Sequence, residues 1–124
     1  MKLHAEKLDG LIISGHGAGW IAVNGEKKHN SIVISSRGVC LDWPCQRFDD
    51  LSAANFAHLA ALRPELVIFG SGASLRFVPP QWLQGLMEHR IGLETMDTAA
   101  ACRTYNILAA EGRHVVAALL LESA

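Results

Sequence analysis

The sequence predicts a layered α/β fold: a mixed central β-sheet, an N-terminal antiparallel meander leading into it, and helices packed on it. Three observations predict this. The second half alternates helical and strand-like segments, and such alternation builds parallel strand pairs covered by helices. The first half instead carries short apolar runs separated by turn signals, the pattern of antiparallel hairpins. The composition is that of a globular chain, 50% hydrophobic and 19% charged over 124 residues, which suits one domain spanning residues 1–124.

The elements follow in order. Leu11-Ile12-Ile13 reads as a strand that leads into the glycines Gly15, Gly17 and Gly19. Trp20 to Val23 is the next strand, closed by Asn24-Gly25, two residues that tolerate positive φ and signal a tight turn. Lys27, Lys28 and His29 read as a solvated hairpin tip. Ser31 to Ser35 is a further strand, and Arg37-Gly38 turns the chain into Val39-Cys40-Leu41. Trp43-Pro44 then interrupts any ladder, because proline has no amide to donate. Asp50 or Ser52 caps a helix running to about Leu62, with Phe56, Leu59, Ala60 and Leu62 at roughly helical spacing. Pro64 ends it. Leu66 to Phe69 is continuously apolar, as a strand buried on both faces should be. Pro79-Pro80 opens a helix to about His89, since proline is favoured in a first turn. Ile91 to Met96 is a strand, Asp97 or Thr98 caps a helix to Glu111 with Gly112 at its C′ position, and His114 to Leu121 is the last strand.

Charge excludes some functions. Eleven Lys and Arg against twelve Asp and Glu give a net charge of -1, with no basic block to recruit nucleic acid or an anionic membrane. The longest apolar run, Val115 to Leu121, is too short to span a bilayer as a helix. No apolar run follows the charges of residues 1–7, unlike a secretory signal, so the expected compartment is the cytoplasm. Three cysteines exclude a complete disulfide framework, and neither they nor the six histidines have zinc-ligand spacing. No cofactor, metal site or catalytic set is expected.

Ligands in open α/β sheets bind beyond the carboxyl ends of parallel strands. Two such ends are visible, Phe69 into Gly70-Ser71-Gly72 and Met96 into Asp97-Thr98. If those strands are neighbours, both loops line one crevice. The functional reading of Gly70-Ser71-Gly72 is a backbone that cradles an anion. The plainer one is a tight turn, since the P-loop lysine and the dinucleotide-fingerprint spacing are both absent. Glu94 lies inside an apolar strand, sharing a face with Met96. If buried it needs a partner such as Arg76 or Arg103, and if open to the crevice it is a candidate acid, base or ligand anchor. Cys102, one turn into the helix, reads as a small, inert, semi-buried thiol, and Tyr105 as a core residue with a hydrogen-bonded hydroxyl. Ser14, between Ile13 and Gly15, lacks the spacing of a nucleophile elbow. Of Trp20, Trp43 and Trp82, at least two are expected in the core, and any other is a surface anchor. Edge strands of the meander offer pairing to a partner chain or a second copy. The pocket candidates are thus Gly70, Ser71, Gly72, Glu94, Asp97, Thr98, Cys102 and Arg103.

The block from Gly92 to Leu108, containing Met96-Asp97-Thr98 and Thr104-Tyr105-Asn106 and closed by Glu111-Gly112-Arg113, resembles the Mth-like domain family. Gly70-Ser71-Gly72 after an apolar strand and Asn30 to Ile34 after a turn match it in the same order. That family includes small bacterial proteins, an adipogenesis-associated protein and the mitochondrial assembly factor three of respiratory complex I. The resemblance implies a layered α/β fold around a mixed sheet, no established enzymatic activity, and action through protein partners. The family's recurring residues fall here on Gly70, Gly72, Glu94, Asp97, Thr98, Cys102, Tyr105 and Asn106.

Overall fold

The computed structural model describes residues 10–122. The N-terminal stretch read as unlike a secretory signal lies outside them. Eight strands and three α-helices follow: β1 (Ile13–Gly17), β2 (Trp20–Val23), β3 (Glu26–Lys28), β4 (Ile32–Ser35), β5 (Val39–Asp42), α1 (Ala53–Ala57), β6 (Leu66–Gly70), α2 (Gln84–Glu88), β7 (Gly92–Met96), α3 (Thr98–Ala110) and β8 (Val115–Leu119). Short 3-10 turns add Phe48–Asp50, His58–Leu62 and Pro80–Leu83.

The mixed sheet has the order β5-β4-β8-β6-β7. β6 runs parallel to both β7 and β8, and β4 is antiparallel to both β8 and β5. β6 and β8 lie inside this sheet, so nearly all their residues are buried, which is why their sequences show no alternation. The expected N-terminal meander is divided. β1, β2 and β3 form a separate three-stranded antiparallel sheet, whereas β4 and β5 join the large one. All four residues of β4 are buried, and such a strand needs cover on both faces. Lys27 and Lys28 also differ from expectation. They belong to β3, and the turn is Asn24-Gly25, at φ 47° and 89°.

Helices cover both faces of the large sheet. On one side Leu86 of α2 and Phe56 of α1 close over Trp43, Phe69 and Val116. On the other, Ala101, Cys102 and Tyr105 of α3 meet Ile68 and Ala117, with Ile21 and Val23 of the small sheet. Trp43 is buried and Trp82 packs half-buried against the first core, as expected for two of the three tryptophans.

The small sheet is tied to α3 by polar bonds as well as by burial. Asn106 behaves as a neighbouring strand would: its Oδ1 accepts from Ile13 N at 2.9 Å and its Nδ2 donates to Ile13 O at 2.8 Å. The Tyr105 hydroxyl donates to Leu11 O at 2.7 Å. β1 begins at Ile13 and takes in Gly15 and Gly17, two glycines expected to follow the strand rather than belong to it. The reason is Trp20, whose indole lies across both: a Cβ on Gly17 would sit 2.5 Å from Trp20 Nε1. The helix read from Ser52 to Leu62 begins as expected, with Asn55 Oδ1 accepting from Ser52 N at 2.8 Å, but tightens into 3-10 geometry from His58.

Candidate functional site

Because β6 and β7 are parallel neighbours, their carboxyl ends meet, and the two loops that leave them are bonded to one another. Thr98 N donates to Gly72 O at 2.9 Å, and Gly72 N donates to Thr98 Oγ1 at 2.9 Å. The same hydroxyl donates to Leu120 O at 2.8 Å, so one threonine joins three chain segments. Above this junction lies a crevice of about 430 Å³. Its walls are Gly72 and Ala73, the start of α3 from Asp97 to Ala99, the segment Leu120 to Glu122 that follows β8, and the β1–β2 hairpin around Trp20.

Of the eight candidates, the crevice gathers Gly72, Asp97 and Thr98. Gly70 lies beneath it, where a Cβ would come within 3.0 Å of Thr98 Cα and Leu119 Cδ2. Ser71 is wholly buried, and its hydroxyl donates to Ser74 O at 2.8 Å and accepts from Arg76 N at 3.0 Å. The other three do not reach the crevice. Glu94 is exposed on β7, an edge strand, and the partner considered for it, Arg76, is bound to Glu122 instead. Arg103 is exposed on α3. Cys102 points into the core. Alternation placed Glu94 on the face of Met96, but an edge strand leaves that position open to solvent.

The polar groups at the crevice are largely committed to the fold. Asp97 Oδ1 accepts from Ala100 N at 2.8 Å as the N-cap of α3, and Ala101 N donates to Asp97 O. With Thr98 N given to Gly72, Ala99 N is the first-turn amide left out of these bonds. One amide and a helix dipole, worth about 0.3–1 kcal/mol at an exposed end, are a thin basis for anion binding. Glu122 closes one end of the crevice. It holds Arg76 through both oxygens, at 2.6 and 3.1 Å, and accepts from Phe48 N at 2.9 Å. A Cβ on Gly72, whose φ is +100°, would lie 2.8 Å from Glu122 Oε1. Glu122, Arg76 and the hairpin residues His16 and Ala18 were not among the candidates. A sequence separation of 46 between Arg76 and Glu122 leaves no local pattern to read.

Ser14, Tyr105 and Cys102 are likewise occupied. Ser14 Oγ accepts from Gly25 N at 2.8 Å. Burial pushes the Tyr105 hydroxyl above its usual range. Burial also pushes the Cys102 thiol up to about 12, outweighing the opposite pull of Arg103. The attacking species is the thiolate, so folded protein at pH 8 is expected to leave Cys102 unmodified by iodoacetamide while unfolded protein is labelled. Mass mapping of the alkylated cysteines checks this, and fast labelling of Cys102 in the folded chain would contradict it.

A family model described as a protein of unknown function, DUF498/DUF598, matches residues 13–120. This chain belongs to that family. A Rhodobacter capsulatus protein is 34% identical over 110 residues, covering 89% of this chain and 84% of its own length. Proteins named NADH dehydrogenase (ubiquinone) 1 alpha subcomplex assembly factor 3 are also similar. The Xenopus tropicalis one is 24% identical across 96% of this chain, and the human one 28% identical across 95%. The chain spans 66% and 65% of those two proteins. Among solved structures, a Bordetella parapertussis protein is 38% identical with a TM-score of 0.85, covering 90% of this chain and 96% of that one. A Bordetella pertussis protein described as a Mth938-like domain is 33% identical with a TM-score of 0.80, over 99% and 94%. The family and the mixed-sheet fold expected from the Gly92–Leu108 block are therefore both established. No helix among the described residues is long and apolar enough to cross a membrane.

Proposed function

We propose that this chain is one non-enzymatic binding domain, acting in the cytoplasm as an assembly accessory through contacts with protein partners. The assembly in question is of the respiratory complex I type. The observation that carries this reading is how the family-identifying block spends its polar groups. Asp97 caps α3, while Thr98, Tyr105 and Asn106 hold it to the loops and the small sheet around it, so the block serves as a scaffold. The relatives named as assembly factors supply the kind of partner. Deleting the gene in its own organism is expected to lower assembled complex I on native gels and to accumulate subassemblies. A tagged copy at native level should capture some of those subunits. Unchanged complex I together with no reproducible partner would reject the proposal.

A second reading rests on the crevice itself, whose place beyond parallel strand ends is where α/β sheets bind small ligands. Here the chain is a ligand-binding protein or small enzyme using Gly72, Asp97 and Thr98. A thermal-shift screen of metabolites tests it, with Asp97→Asn and Glu94→Gln as comparison variants. A ligand seated in the crevice is expected to lose its stabilising effect in the first variant and keep it in the second. If no compound raises the melting temperature of the wild type, this reading fails.

A further inference from the structure

β1 is an edge strand of the small sheet, paired on one side with β2. Backbone groups along such a strand point alternately to the partner and to the open edge. Ile13 turns both of its groups to the open edge, where Asn106 takes them. The register shows which residue does so next. The tight turn at Asn24-Gly25 closes the pair Val23–Glu26, so Val23, and likewise Ile21, bond toward β3. Their partners across β1 and β2 are Ile13 and His16, whose groups therefore point the other way. Ile13 and His16 are an odd number of residues apart. The bulge between Ile13 and Gly15 is what brings both to the same edge.

His16 lines the crevice, together with Gly17 and Ala18. Among the described residues, no backbone bond from outside the hairpin reaches Gly15, His16 or Gly17. Asn106 fills the place beside Ile13 as a strand would. The place beside His16 is open, between β1 and the first turn of α3 at Ala99. Nor does the recess end there. A hollow of about 470 Å³ shares Ala18, Gly19, Leu121 and Glu122 with the crevice and continues to Asn30 and Gln46. A recess drawn out in this way fits an extended chain better than a compact ligand. Arg76 neutralises Glu122, whereas Asp97 has no cation within ion-pair distance among the described residues. The lining thus disfavours acidic side chains.

We propose that an extended segment of a protein partner adds to the small sheet as a strand beside β1, its backbone bonding the N–H and C=O of His16 inside the crevice. Main-chain bonds supply affinity, and side chains lying against Trp20, Ala99 and Leu120 supply selectivity. The segment needs a free N–H opposite His16, which excludes proline there. This inference rests on the reading of the chain as a protein-binding domain and gives that reading a surface. Its test uses no complex I subunit, so its failure is distinct from failure of the assembly role.

The probe is a displayed library of random linear peptides, panned on the immobilised full chain and counter-selected on Ala99→Phe, which fills the recess from α3. A set of peptides with a shared pattern is expected, and a blocked synthetic copy should bind with a Kd of about 1–100 µM. Methylating its backbone nitrogens one at a time should weaken binding about tenfold or more at alternate positions and little at those between. Amide exchange at His16 should slow in the complex. Ala99→Phe should weaken binding about tenfold or more with an unchanged melting temperature. Ala110→Phe, at an exposed site at the far end of the same helix, should bind like the wild type. A library that yields no peptide lost on Ala99→Phe would overturn the proposal. So would a peptide that tolerates methylation at every nitrogen, or one that leaves exchange at His16 unchanged. Slowed exchange at His16 in the chain alone at rising concentration would assign the edge to a second copy and overturn it too.

Discussion

Replacing Phe69 with alanine is expected to lower the unfolding free energy by about 3–5 kcal/mol, the range for truncating a buried aromatic ring. Phe69 is wholly buried in β6, between β7 and β8. Its ring centre lies 5.3 Å from Phe56 and 6.0 Å from Trp43, both edge-on, and 6.3 Å from Phe48. Each edge-on pair adds about 0.5–1.5 kcal/mol beyond burial. The neighbours come from three separate segments and are packed against further elements, so they cannot collapse together into the gap. Domains of this kind are stable by about 5–15 kcal/mol in all, so the variant should fold marginally. Urea unfolding followed by tryptophan fluorescence measures the effect as a lower midpoint at unchanged slope. A loss below about 1 kcal/mol would show that the aromatic cluster is not the centre of that core. Phe77→Ala, at an exposed site, is expected to stay within about 0.5 kcal/mol of the wild type.

Phe69 was readable as a core residue because Leu66 to Phe69 has no alternation, and only a strand covered on both faces tolerates that. The cap of α3 was equally readable. An aspartate before a helical pattern and a glycine after it have local causes, and the structure contains both, with Gly112 at φ +81°. Pairings between distant segments left much weaker marks. Ile32-Val33-Ile34 carries the same unbroken apolar pattern as β6, yet it reads only as a strand of the meander, and the structure puts it inside the large sheet. Its partners β5 and β8 still depend on the whole chain. The side-chain face of Glu94 followed from alternation, whereas its exposure followed from β7 being an edge, which is a property of strand order. Gly15 and Gly17 gave no sign of belonging to the first strand, because the indole that requires them arrives from the next one. At the crevice, the two strand ends and their loops were legible from Gly70, Gly72 and Asp97. The wall supplied by the hairpin and the Arg76–Glu122 pair was not, since neither leaves a periodic or adjacent signal.

Thr98→Val is expected to cost about 2–4 kcal/mol, although the two side chains have nearly the same shape. The difference is the hydroxyl, which accepts from Gly72 N and donates to Leu120 O in a buried setting. Valine leaves that amide and that carbonyl without partners, and each buried group so orphaned costs about 1–3 kcal/mol. Thr98→Ser keeps both bonds and should lose less than about 1.5 kcal/mol, for one methyl group. Asp97→Ala removes a single cap bond and should lose about 0.5–2 kcal/mol. The order valine worse than either of these separates the hydroxyl's role from packing and from capping. The effect should also be local. Gly72 is held to α3 by this hydroxyl and by its own carbonyl, so losing the first bond frees one wall of the crevice. If that wall opens on its own, exchange of the Gly72 amide with deuterium should quicken by a factor of about 30–1,000, at tenfold per 1.4 kcal/mol. A valine variant as stable as the wild type, with Gly72 still protected, would mean that Thr98 does not hold the junction. The two loops at the carboxyl ends of β6 and β7 would then be joined by other means.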